Sequence, residues 1–259
     1  MLRMAEVQRA EEFDAVVVGA GPNGLTAALT LARAGLAVAV FEAADQVGGG
    51  CRSRELTLSG FVHDVCAAVH PMGVLSPAFR ELGLEECGLE WLHSEFPLAH
   101  PLPNGDVACL QRDVWATAAA LGIDGAVWRR LFGPLLKRDF LESLLNPIWK
   151  TEAGTLWSKL RFGPLALRSA AKVTKRFETA RARALFTGCA AHSVMSLDRA
   201  GTASFGMALV LTAHVVGWPV ARGGSQEIIR ALLRGLEKAG AVVRPGRRVT
   251  ALHEVPKAR

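Results

Sequence analysis

Two kinds of apolar spacing follow each other near the start of the chain. Asp14 to Val18 is a short β-branched run ending at Gly19, which reads as a buried parallel strand. Leu25, Ala28, Leu29 and Ala32 then recur at helical spacing, and Gly35 stands where that helix should end. Leu36 to Phe41 is a second apolar run, closed by Glu42. Strand, turn, helix and strand in this order predict a βαβ unit.

Further along, Leu98 to Leu110 has Asn104-Gly105 between apolar flanks, a hairpin signal. From Arg112 to about Arg183 the spacing is mainly helical, punctuated by Pro134, Pro147 and Pro164. Phe205 to Val216 is strongly apolar but too short to span a bilayer, which takes roughly 20 residues, so it reads as a buried helix. Ile228, Ile229, Leu232, Leu233 and Leu236 form the stripe of an amphipathic helix ended by Gly240. Ala241 to Arg244 and Val249 to Leu252 read as two more strands. The fold class is α/β: a Rossmann-type dinucleotide-binding βαβ domain with an inserted, mainly helical region. The expected division is 1–95, 96–221 and 222–259, the last returning to the first.

The turn of the βαβ unit reads Gly19-Ala20-Gly21-Pro22-Asn23-Gly24, a G-x-G-x-x-G. In such a turn the first glycine allows the tight bend, the second lets backbone approach a pyrophosphate, and the third lets helix pack on strand. Pro22 suits the first helical position, where no N–H is needed. The helix start then offers N–H groups and partial positive charge to phosphates. Glu42 follows Gly19 by 23 positions, where a carboxylate accepts from ribose hydroxyls and disfavours a 2′-phosphate. The unit alone fits FAD or NAD.

With 259 residues, 50% of them hydrophobic, the chain can build a sizeable core. Its net charge of +6 is local: residues 159–183 hold eight basic side chains and one acidic, leaving the remainder at −1. That stretch, interleaved with Leu160, Phe162, Leu165, Leu167, Val173 and Phe177, reads either as a peripheral contact with an anionic membrane or as a solvated basic face. Nucleic-acid binding is not expected, because no recognised module accompanies the patch. Five cysteines without C-x-x-C spacing argue against a disulfide framework or a metal site and for a reducing, cytoplasmic setting.

The segment from Phe41 through Glu42, Ala43, Gly48, Gly49, Gly50, Cys51, Arg52 and Ser53 resembles the E-x(4)-GG-x(2)-R/S segment of the FAD-dependent amine oxidase and phytoene desaturase superfamily. Gly60 to Asp64, His70-Pro71 and the Gly217 to Leu232 stretch with its GGSQ are similar to the phytoene desaturase-related branch, which includes pyridine nucleotide-disulfide oxidoreductase domain 2-like proteins. The resemblance implies an FAD-dependent oxidoreductase that moves hydride between flavin and an apolar, carotenoid- or lipid-like substrate. It implies cofactor contacts at Gly19, Gly21, Pro22, Asn23, Gly24, Glu42, Ala43, Gly48, Gly49, Gly50, Arg52, Ser53 and Val249. It also places Gly223 and Gly224 near the flavin or its substrate, and assigns no catalytic acid or base.

Members of that family are about twice as long, so the chain is expected to correspond to the N-terminal half, with the C-terminal half of the fold absent. The alternatives are a non-catalytic FAD-binding fragment completed by a second polypeptide or by self-association, and an NAD-dependent Rossmann enzyme. His63, Asp64, His70 and Cys51 read more simply as structural polar groups and a small thiol than as flavin partners. Trp115, Trp128, Trp149 and Trp157 read as core before substrate lining.

Overall fold

The structure, a computed structural model, describes residues 12–146 and 153–256. The first part of the chain forms β1 (Ala15–Val18), α1 (Pro22–Arg33), β2 (Val38–Phe41), β3 (Ser53–Glu55), β4 (Val62–Asp64), α2 (Pro71–Leu75), α3 (Pro77–Glu81) and β5 (Trp91–Leu92). A hairpin, β6 (Leu98–Pro101) and β7 (Val107–Leu110), leads to α4 (Val114–Ala120), α5 (Gly125–Phe132) and α6 (Arg138–Leu144). Next come α7 (Ala153–Ala166), α8 (Ala170–Thr174), α9 (Ala180–Ala190) and α10 (Thr202–Val215). The described chain closes with β8 (Val220–Ala221), α11 (Gln226–Lys238) and β9 (Val242–Arg244). Pro147 and Trp149 lie outside the described residues.

These elements make two compact units. One holds the chain up to Val69, Ala78–Trp91 and Val220 onward; the other holds His70–Pro77 and Leu92–Pro219. In the first, β1, β2 and β9 form a parallel sheet in that order, with Ala15 opposite Val38 and Ala39 opposite Val242. The central strand β2 is buried along its whole length, as a continuous apolar run requires. Its neighbour β1 is not the fully buried strand its β-branched residues predict. It lies at the edge of the described sheet and leaves Val18 57% exposed.

Helix α1 buries Leu25, Ala28, Leu29 and Ala32, the four positions its spacing marks. They pack with Ile228, Ile229, Leu232 and Leu236 of α11 in one core. Gly235 permits this approach, because a Cβ there would lie 2.7 Å from a Leu29 methyl. Gly35 ends α1 at φ +89°, a left-handed conformation open to glycine. Val242–Arg244 is the expected strand, but Val249–Leu252 is not. Thr250 donates through both N and Oγ1 to the Glu254 carboxylate, each at 2.7 Å. This local side-chain bonding competes with strand pairing, and a short 3₁₀ turn at Leu252–Glu254 follows. Val249 instead packs beside Phe13, Ala39 and Phe41.

The second unit is α2, the hairpin and the helices α4 to α10. Trp128, Phe132, Phe177 and Phe186 are its largest fully buried side chains near one another. Trp128 Nε1 donates to His214 Nε2 at 3.1 Å, so both polar edges are satisfied within an apolar core. Helix α10 is buried, and among the described residues no helix is long and apolar enough to cross a membrane.

Candidate dinucleotide site

The site grows from the turn between β1 and α1. Gly19 N donates to Phe41 O at 2.7 Å, and Gly19 itself turns at φ +102°. Gly21 is the N-cap of α1 and Pro22 its first helical residue. No side chain caps this helix start, and its first turn carries no acidic residue. The first N–H groups of any helix lack partners within it, so this end is set to meet an anion. Asn23 is exposed on that first turn. A Cβ on Gly24 would stand 2.0 Å from Gly19 O and 3.5 Å from Val17 Cγ1. Only glycine lets the helix sit so close to the turn.

A second glycine loop lies against the first. Gly48 N donates to Ala20 O at 2.8 Å. Gly48 and Gly49 take φ +129° and +53°. A Cβ on Gly49 would be 3.1 Å from Gly21 Cα, whereas one on Gly21 would meet nothing nearer than Gly49 Cα at 3.9 Å. Bare backbone of both loops is therefore brought together at the head of α1. Arg52 Nε donates to Gly49 O at 2.9 Å, which stations a cation on the same loop. Gly50 faces Cys66, whose Sγ would be 3.8 Å from an added Cβ.

Glu42 ends β2 beside these loops. Its Oε2 accepts from Ala20 N at 2.8 Å and its Oε1 from Ala44 N at 2.9 Å. Burial pushes its pKa up, but the backbone N–H groups of Ala44, Ala20 and Ala43 and the charge of Arg52 outweigh it, so the carboxyl is held below its ordinary range. An ionised, fixed acceptor results, with lone pairs beyond those its backbone donors use.

Of the sequence-predicted residues, Gly19 to Gly24, Glu42, Ala43, Gly48, Gly49 and Arg52 thus meet in one place. Ser53 joins a second network. Its Oγ donates to Asp64 Oδ1 at 2.6 Å and accepts from Gln226 N at 3.0 Å, while Ser225 N donates to the same Asp64 oxygen at 2.8 Å. This network fixes the start of α11 to β3 and β4. Gly224 belongs to it too, since a Cβ there would lie 2.9 Å from Ser53 Oγ. Asp64 anchors this network, and His63 pairs with Thr57 Oγ1 at 2.8 Å. Cys51 is a buried thiol whose pKa is pushed up by burial and by Asp64 and Cys66.

Sequence reasoning missed Gln226. Its Nε2 donates to Val47 O at 3.3 Å and its Oε1 accepts from Gln46 Nε2 at 3.2 Å, bracing the segment that leads into the second glycine loop. The Gln of GGSQ was the available signal. In the helical unit, Trp128 is core, but Trp115 and Trp157 are 64% and 69% exposed, and Arg129 lies over the Trp115 ring. Around the basic stretch, Leu156, Leu160 and Leu167 are exposed as well.

Residues 17–82 match the NAD(P)-binding Rossmann-like domain family. The chain is 29% identical over 269 residues to hydroxyneurosporene desaturase of Rhodobacter capsulatus, covering 93% of this chain and 53% of that protein. It is 40% identical over 87 residues to pyridine nucleotide-disulfide oxidoreductase domain-containing protein 2 of Rattus norvegicus, covering 33% and 14% of the two chains. A limonene dehydrogenase polypeptide of Castellaniella defragrans is 34% identical over 111 residues, covering 43% of this chain and 19% of that protein. Wild-type putrescine oxidase bound to putrescine shares the fold at a TM-score of 0.54 and 20% identity, over 91% of this chain and 51% of that one. The desaturase-like resemblance and the Rossmann-type fold therefore stand, and the chain spans about half the length of hydroxyneurosporene desaturase.

Proposed function

We propose that this chain holds FAD at the paired glycine loops and serves an oxidoreductase that acts on an apolar, carotenoid- or lipid-like substrate. The observation that carries this reading is the meeting of Gly21 and Gly49 beside an ionised Glu42. Glycine at both positions leaves room for a pyrophosphate against bare backbone. The uncapped start of α1 and the Arg52 charge complement its negative charge. Glu42 is positioned to accept from the adenosine ribose. FAD, when bound, supplies hydride acceptance and return, and the protein groups orient it.

The substrate class is supported by relatives rather than by a site. Hydroxyneurosporene desaturase and limonene dehydrogenase are named for terpenoid hydrocarbons or their hydroxy derivatives. An NAD-dependent enzyme is the competing reading, and the second glycine loop packed on the first counts against it.

The test is anaerobic addition of a neutral polyene, dispersed in detergent, to the FAD-loaded chain. Bleaching of the visible flavin band by the polyene and not by a diamine supports the reading. Bleaching by the diamine alone replaces it with an amine-oxidising one.

A further inference from the structure

A cavity of about 530 Å³ opens in the helical unit, lined by Val127, Arg130, Leu131, Arg161, Leu165 and Arg176. Each arginine comes from a different part of the bundle: Arg130 from α5, Arg161 from α7, and Arg176 from just beyond α8. On α5 and α7 the charge has apolar company on its own face. Val127 stands three residues before Arg130, and Leu165 four after Arg161, the spacings that place side chains side by side. Arg161 donates through Nη2 to Arg130 O at 3.2 Å, which ties α7 to α5 at the cavity.

No carboxylate is among the described lining residues, and among the described residues none of the three arginines forms an ion pair. Three like charges on one cavity, with no carboxylate among its described lining residues, repel one another, and an anion between them relieves that repulsion. Arginine also binds phosphate and carboxylate oxygens bidentately. The other half of the described lining is aliphatic, with Leu131 only 5% exposed. Among the described lining residues no aromatic ring is there to stack a nucleobase. Cations joined to an aliphatic floor suit a ligand that is itself half anion and half hydrocarbon.

We propose that this cavity binds one anionic amphiphile, a phosphate or carboxylate head carrying an aliphatic chain. The site lies wholly within the helical unit and is independent of the dinucleotide reading.

The probe is decyl phosphate, titrated below its micelle concentration into the full chain by calorimetry. One molecule per chain is expected, with decanol and inorganic phosphate each binding at least about tenfold more weakly, since each lacks half of the recognition. Arg161→Gln and Arg176→Gln are each expected to weaken decyl phosphate about tenfold, the scale of one charge-assisted hydrogen bond. Arg168→Gln, an exposed arginine of the same basic stretch outside the cavity, is expected to leave it unchanged. Circular dichroism checks that the variants keep their helices. Phosphatidylcholine vesicles with and without phosphatidylglycerol then separate a membrane source from a free one. Binding to the anionic vesicles that is lost in Arg161→Gln identifies a lipid headgroup; binding of decyl phosphate alone identifies a free amphiphile. The proposal is overturned if decanol or inorganic phosphate binds as well as decyl phosphate, or if neither cavity variant weakens it.

Discussion

A Cβ built on Gly49 would stand 3.1 Å from the Cα of Gly21. Two loops separated by nearly thirty residues of chain thus meet through backbone alone. Gly49 also holds φ +53°, where any other residue is strained. Gly49→Ala is therefore expected to cost about 1–2 kcal/mol of stability and to weaken FAD about tenfold by spreading the loops. Urea unfolding and FAD titration read the two effects separately.

Gly24 and Gly21 lie in one motif but are constrained differently. At position 24 the obstacle is a backbone oxygen 2.0 Å away, which cannot turn aside; at position 21 the nearest atom is 3.9 Å away and φ is −76°. Gly24→Ala is expected to destabilise by about 1–3 kcal/mol or more. Gly21→Ala is expected to leave stability within about 0.5 kcal/mol of the parent while lowering FAD affinity. Thermal unfolding of both variants, with and without FAD, checks the contrast.

The β1–α1–β2 unit was legible because its determinants are local: two short continuous apolar runs, helical apolar spacing between them, and glycines at the bends. The same locality made Val249–Leu252 misleading. Its apolar pattern suggests a strand, but Thr250 finds Glu254 four residues away and closes a turn. Long-range groupings were not legible. Ser225 and Gln226 join Asp64 and Ser53 from 161 and 173 residues away, and Arg130, Arg161 and Arg176 line one cavity from α5, α7 and the turn after α8. No spacing rule announces which remote residues will be neighbours. The edge position of β1 likewise depends on sheet order, which a β-branched run does not encode.

Glu42 accepts backbone N–H groups at both oxygens, which an amide cannot do. Glu42→Gln is expected to weaken FAD by about tenfold or more, from about 1–3 kcal/mol of lost charge-assisted bonding. Because the folded-state pKa lies below the ordinary value of 4.5, its contribution is present above that value and is lost as pH falls through the lowered one. FAD affinity of the parent is thus expected to be flat through neutral pH with respect to this group. A midpoint near neutrality that disappears in Glu42→Gln speaks against the assignment.

Asp124 is buried and accepts from Glu178 N, Thr179 N and Thr179 Oγ1 at 2.9, 2.8 and 2.6 Å, capping the approach to α9. Burial pushes its pKa up, but the Thr179 hydroxyl, the Glu178 and Thr179 N–H groups and Arg183 outweigh that, holding it below 3.8. Its stabilisation is therefore present above the ordinary aspartate pKa and lost as pH falls through the lower folded value. Asp124→Asn is expected to cost about 1–3 kcal/mol at neutral pH and to remove that acid-side loss. Denaturant midpoints from pH 7 down into the acid range measure both.

The central claim, that the paired glycine loops bind FAD, is tested most directly by the visible absorption spectrum of the purified chain after addition of excess FAD and desalting. The account predicts a retained flavin band at about one FAD per chain, absent from a Gly21→Val variant of unchanged circular dichroism. A colourless parent after desalting, or a Gly21→Val variant that keeps the same band, contradicts it.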